Sequence, residues 1–208
     1  DKIRAFGKTH AVTINTIILT AYFRSMFAMM NPPAGEDREI YITMDLRRSF
    51  KTDPSQEICN LSAMVVSIAC RMEEEAFTGT LKRVSRYIDE KKRSQVQLTE
   101  TAKLYAQEAL EYAQLHALLQ ASRPQILETG KFPPTLTNLG IISPLQFGQI
   151  TAHDAYLVTP TINVPGFLLG VSTYNKTLTS YYEPSHKTKD VNALMDFMMT
   201  ELNMLYTL

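Results

Sequence analysis

The sequence predicts an α/β fold, a mixed sheet covered by helices, because strand-like and helix-like stretches are interspersed along the whole chain. Three observations carry that expectation. Ile40, Ile42, Met44 and Leu46 alternate with Tyr41, Thr43, Asp45 and Arg47, so one side of this strand is core and the other is free to face a cleft. Asn60-Leu-Ser-Ala-Met-Val-Val-Ser-Ile-Ala-Cys70 has too few polar residues for a half-exposed strand and reads as a central strand covered on both faces. Finally, Gly166-Phe-Leu-Leu-Gly-Val-Ser-Thr-Tyr-Asn175 reads as a buried strand. It is followed by a second run, Leu178-Thr-Ser-Tyr-Tyr182, and by a helix with Val191, Leu194, Met195, Met198, Leu202 and Leu205 on one face.

Taken in order, Thr13 is the expected N-cap of a helix reaching about Met30, with Ile14, Ile17, Ile18, Ala21, Tyr22, Ser25 and Met29 at helical spacing. Asn31-Pro32-Pro33 stops it. Strands are expected near 39–47, 59–70, 135–140, 153–160, 166–175 and 177–183. Between about Glu73 and Arg93, Phe77, Leu81, Val84 and Ile88 form a narrow apolar stripe, the mark of a surface helix. A run rich in Ala, Leu and Glu from Thr99 to Ser122 predicts another helix, closed by Arg123-Pro124. Pro160, Pro165 and Gly166 divide the strands of the last third. No linker or repeat interrupts the sequence, and residues 1–208 are read as one lobe.

The totals exclude several classes. Twenty-one Lys plus Arg against 21 Asp plus Glu leave no net field for a polyanion, which disfavours nucleic-acid partners. The two cysteines, Cys59 and Cys70, lie in an apolar run and read as reduced, buried thiols. No apolar run reaches the roughly 18 residues of a membrane span, so a cytoplasmic protein is expected. The chain opens on Asp1 rather than Met, as expected of a piece of something longer.

Several short motifs appear in a fixed order. They are Val12-Thr-Ile-Asn-Thr-Ile-Ile-Leu-Thr-Ala21, Met44-Asp-Leu-Arg47, the strand led by Asn60, Thr137-Asn-Leu-Gly140, and paired strands with Tyr174-Asn175 before a terminal helix. This order resembles the C-terminal half of the chloramphenicol acetyltransferase-like superfamily, which includes peptide-synthetase condensation domains and alcohol O-acyltransferases. The resemblance implies one lobe of a two-lobed fold. It also implies transfer of an acyl group from a thioester, acyl-CoA or carrier-bound, to a small alcohol or amine, with no permanently bound cofactor. Thr-Asn-Leu-Gly is closer to the alcohol O-acyltransferases.

In that superfamily an HHxxxDG motif supplies the general base, a role suited to histidine because its ordinary pKa near 6.5 leaves it neutral at physiological pH. The complete motif is absent here, as the resemblance to a C-terminal half implies, so the base is expected on an N-terminal partner lobe. The nearest imitation is Ser185-His-Lys-Thr-Lys-Asp-Val191, where His186 and Asp190 keep the HxxxD spacing but Ser185 and Val191 replace the first His and the Gly. By resemblance Arg47, with Asp45 beside it, supports the catalytic motif of the other lobe; its plain alternative is a strand-end Arg paired with Asp45 or solvent. Asn138, Gly140 and Asn60 are implied at the acyl and substrate cleft, and a simple turn accounts equally for Asn-Leu-Gly.

Lys82, Arg83, Arg86, Lys91, Lys92 and Arg93 form a basic stretch that a phosphate-bearing thioester would suit. Glu73, Glu74, Glu75, Asp89 and Glu90 interleave with it, as on a solvated helix face. None of the four histidines has metal-ligand spacing, and no nucleophile elbow appears. Two further readings remain open: a non-catalytic binding or scaffold lobe, and a compact acetyltransferase using His186.

Overall fold

The computed structural model describes residues 2–49, 61–129, 132–160, 162, 166–182 and 190–205. Helices α1 (Lys2–Thr9) and α2 (Ile14–Met30) precede strand β1 (Asp37–Asp45), a 3-10 turn over Leu46–Ser49 and strand β2 (Ser62–Cys70). Helices α3 (Phe77–Arg93), α4 (Val96–Glu108) and α5 (Tyr112–Thr129) lead to β3 (Thr135–Ile141). A small hairpin, β4 (Gln146–Phe147) and β5 (Ile150–Thr151), precedes β6 (Leu168–Tyr174), β7 (Thr177–Tyr182) and the terminal helix α6 (Val191–Met204).

Five strands form one mixed sheet in the order β2-β1-β3-β6-β7. β1, β3 and β6 run parallel in the middle, while β2 and β7 pair antiparallel at the two edges. Ile40, Ile42, Val65, Ala69, Leu136, Leu169 and Val171 point into one core with residues of α2, α3 and α6. Helices α2, α3 and α6 therefore cover one face of the sheet. α2 is the centre of that layer: Ile17, Ile18, Leu19, Thr20, Ala21, Tyr22 and Phe23 are all fully buried, as expected of a helix that is apolar all round. Two of its buried hydroxyls are satisfied within the helix, Thr20 Oγ1 donating to the Thr16 carbonyl at 2.8 Å and Ser25 Oγ to the Ala21 carbonyl at 2.7 Å, while the Tyr22 hydroxyl has no partner among the described residues.

α2 begins where the sequence places it. The Thr13 side chain accepts the Thr16 N–H at 3.1 Å, and Asn31 closes the helix in the left-handed region with φ 41°. Replacing Thr13 with alanine frees that N–H. We expect a loss of about 1 kcal/mol, read as a lower urea midpoint at unchanged m-value.

Three expectations are corrected. β2 is an edge strand, not a central one; its exposed and buried residues alternate, with Met64 51% exposed, and α3 and α4 pack against it. Partial cover from those helices lets an edge strand carry a nearly continuous apolar run. The helix expected over 99–122 is two helices, broken after α4. The Glu111 N–H donates to the Gln114 side chain at 3.1 Å, which starts α5 afresh, and Pro124 is carried inside α5 rather than ending it. Residues 153–160 form no strand. Two of their backbone groups are met by side chains of β6 and its turn, with the Ser172 hydroxyl accepting the Leu157 N–H at 2.9 Å and Asn175 Nδ2 donating to the His153 carbonyl at 3.0 Å.

Candidate functional site

The sheet face turned away from the helices carries the candidate site, an open cleft of about 410 Å³. Its floor is β1 and β3. Ile42 pairs with Leu136, so the next residues, Thr43 and Thr137, stand side by side and their hydroxyls hydrogen-bond at 3.1 Å. One wall is the end of β1 with Asp45 and Arg47; another is the segment Leu157–Pro160, which crosses β6. Leu61, Ser62, Leu139 and Leu168 complete the lining.

Arg47 lies in the 3-10 turn that ends β1. The Asp45 carboxylate accepts the Arg47 backbone N–H at 3.0 Å and its guanidinium at 3.3 Å, so a short turn holds both charges at the cleft mouth. The two side chains are 44% and 50% exposed, and a pair so open to water adds little stability. One guanidinium nitrogen serves Asp45, and the remaining donors suit a further acceptor in the cleft.

Asn138 is tied down on both sides. Its Oδ1 accepts the Gly140 N–H at 2.8 Å, and its Nδ2 donates to Asn15 Oδ1 in the first turn of α2 at 3.1 Å. Gly140 has φ 79°, and the pairing of β3 with β6 shifts register between Asn138 and Gly140. Asn138 borders the cleft at this bulge, while its side chain turns to Asn15 on the helix-covered face of the sheet. Asn60 and His186 lie outside the described residues.

Of the basic stretch, Arg83 turns inward. Its guanidinium clasps both oxygens of Glu75 at 2.9 and 2.6 Å, which holds the Glu75 carboxyl below its ordinary range and raises Arg83 in turn. Lys92 lies 3.8 Å from Asp89, and Lys91 sits over the Tyr87 ring at 5.1 Å. Lys91 and Lys92 are thus engaged on their own helix and Arg83 on the connection before it, and none of the three lines the cleft. Among the described residues no group of three or more His, Cys, Asp or Glu is placed to hold a metal ion, and no single helix is long and apolar enough to cross a membrane.

Thr43, Thr137, Asn15 and the crossing segment were not singled out by sequence. The outward placement of Thr43 in the β1 alternation was the available signal for the floor. The wall at 157–160 has none, because it is built by side chains of a later strand.

No family model matches the sequence, and no curated protein matches it. Solved structures do match in fold. A trichothecene 15-O-acetyltransferase from Fusarium sporotrichioides aligns with a TM-score of 0.71 at 12% identity, over 99% of this chain and 44% of that one. A wax ester synthase/diacylglycerol acyltransferase from Marinobacter aquaeolei aligns with a TM-score of 0.61 at 15% identity, over 98% and 45%. The first condensation domain of the calcium-dependent antibiotic synthetase aligns with a TM-score of 0.61 at 9% identity, over 99% and 43%. The chain spans less than half the length of each of these structures. It therefore has the fold of one lobe of the two-lobed condensation domains and chloramphenicol acetyltransferase-like acyltransferases.

Proposed function

We propose that this chain is the C-terminal lobe of an acyltransferase that moves an acyl group from a thioester to an alcohol or amine, with the general base on a partner lobe. The observation that carries this reading is the placing of Asp45 and Arg47 at the mouth of one open cleft floored by Thr43 and Thr137, on the sheet face that α2, α3 and α6 leave uncovered. Solved acyltransferases and condensation domains of the same fold, each about twice as long, support it.

In this reading the acceptor hydroxyl or amine loses its proton to a histidine of the partner lobe as it attacks the thioester carbonyl, and the thiolate departs. Arg47 offers its spare N–H donors to a carboxylate of the partner's catalytic loop and fixes that loop's geometry. Thr43 and Thr137 line the channel along which the acyl chain lies, and Asn138 fixes the bend of β3 at its edge.

The test compares the 208-residue chain with a form extended upstream to the length of its structural neighbours, each given acyl-CoA or carrier-bound thioester and a panel of alcohols and amines. The extended form should transfer, and the short chain should be slower by at least 10²–10⁴-fold, the usual contribution of a positioned base. Equal rates from both forms, abolished by His186→Ala, would place the base in this lobe instead. Arg47→Ala in the extended form should lower kcat by roughly 10–100-fold through a misplaced loop, with stability nearly unchanged.

A further inference from the structure

Gly170 lies in β6, on the face opposite its core neighbours Leu169 and Val171, and directly beneath the segment that walls the cleft. A Cβ placed there would stand 2.4 Å from Thr159 Cγ2 and 3.3 Å from Leu157 Cδ2. Ordinary carbon–carbon contacts are about 3.5–4.0 Å, so a side chain at 170 forces Thr159, or the wall that carries it, to turn or shift by roughly 1 Å.

The wall is otherwise pinned from below. Tyr174 Oη donates to the Ala152 carbonyl at 2.7 Å, and Ser172 Oγ accepts the Leu157 N–H at 2.9 Å. Gly170, Ser172 and Tyr174 are thus three successive residues of one strand face: two tether the segment, and the third lets it lie flat. Thr159 is only 4% exposed, its hydroxyl has no partner among the described residues, and it lines the cleft. Leu157 and Pro160 flank it there.

We infer that Gly170, which does not itself line the cleft, sets the width of the acyl channel by letting Leu157 and Thr159 rest on the sheet, and so determines which acyl chains the lobe accepts. This rests on the proposed acyltransferase reading.

The test is Gly170→Ala in the extended form. The ratio of kcat/KM between a long and a short acyl thioester should change by at least roughly tenfold, the scale on which an apolar pocket discriminates by size. Arg47 and its turn are untouched, so transfer of a tolerated acyl chain should persist. Adding Thr159→Ser removes the methyl that collides and keeps the hydroxyl; the double variant should return the ratio to within about twofold of wild type. This rescue separates channel width from a general folding defect. An unchanged ratio in a folded Gly170→Ala variant that still transfers, or a changed ratio that Thr159→Ser does not restore, overturns the inference. Absence of transfer from the unsubstituted extended form fails the acyltransferase reading instead. In that case amide-exchange protection of residues 152–160 still decides the packing claim: Gly170→Ala should lower it at least tenfold and Thr159→Ser should recover it.

Discussion

Replacing Leu169 with alanine is expected to destabilise the chain by about 2–5 kcal/mol, the range for deleting a large aliphatic side chain from a packed core. Leu169 is fully buried. It pairs across with Leu136 of β3 on one side and Tyr182 of β7 on the other. Its side chain belongs to the same core as Leu136, Val171 and the buried residues of α2. The parallel strands and α2 are held rigidly on all sides, so the site has little freedom to collapse and the cost should fall in the upper half of the range. Denaturant unfolding at constant m-value reads it. Leu139→Ala is the control: Leu139 lies on the neighbouring strand but is 58% exposed, and its loss should cost under about 0.5 kcal/mol. Equal costs for the two substitutions would mean that the helix-covered face of the sheet is not the stabilising core.

How far the sequence disclosed this architecture depends on the range of the forces involved. The alternation from Ile40 to Leu46 located β1 to within two residues, because one solvated or half-solvated face imposes period two locally. Thr13 marked the start of α2 because a cap is chemistry between residues three apart. The edge position of β2 was not legible. An apolar run reports how much of a strand is covered, and α3 and α4 supply cover that a neighbouring strand would also have supplied. The wall at 153–160 is not legible for a related reason: Leu157 and Thr159 are β-prone, but the segment's backbone is held by Ser172 and Asn175, which nothing in the segment announces. The cleft stood between these cases. Arg47 and Asn138 each belong to a visible short motif, whereas their placement at the border of one cleft depends on the parallel pairing of β1 with β3, a contact between distant parts of the chain.

Removing Glu75 should cost about 2 kcal/mol at neutral pH and much less in acid. Glu75 sits in the connection from β2 to α3, where its carboxylate accepts two hydrogen bonds from Arg83 and one from Thr80 Oγ1 at 2.8 Å. Arg83 also donates to the Cys70 carbonyl at 3.0 Å, and Arg24 of α2 joins the cluster by bonding the Glu75 carbonyl at 2.8 Å and Glu201 of α6 at 2.8 Å. Three helices and the end of an edge strand thus meet at one partly buried network, and charge-assisted bonds of this kind contribute about 1.5–3 kcal/mol. The hydrogen bonds from Arg83 hold the Glu75 carboxyl below its unfolded value. The unfolded chain therefore binds the proton first as pH falls, and this contribution is complete above the ordinary Glu pKa of about 4.3. It is lost as pH drops through the depressed folded value. The stability gap between wild type and Glu75→Ala, near 2 kcal/mol at pH 7, should accordingly narrow steadily below about pH 4. Arg83→Ala should show the same narrowing, and the double variant should reveal a coupling of about 1–2 kcal/mol at pH 7. A gap that stays constant from pH 7 to pH 3 would show that the charge on Glu75 contributes nothing, and that the connection is held by the packing of Phe77 and Leu81 alone.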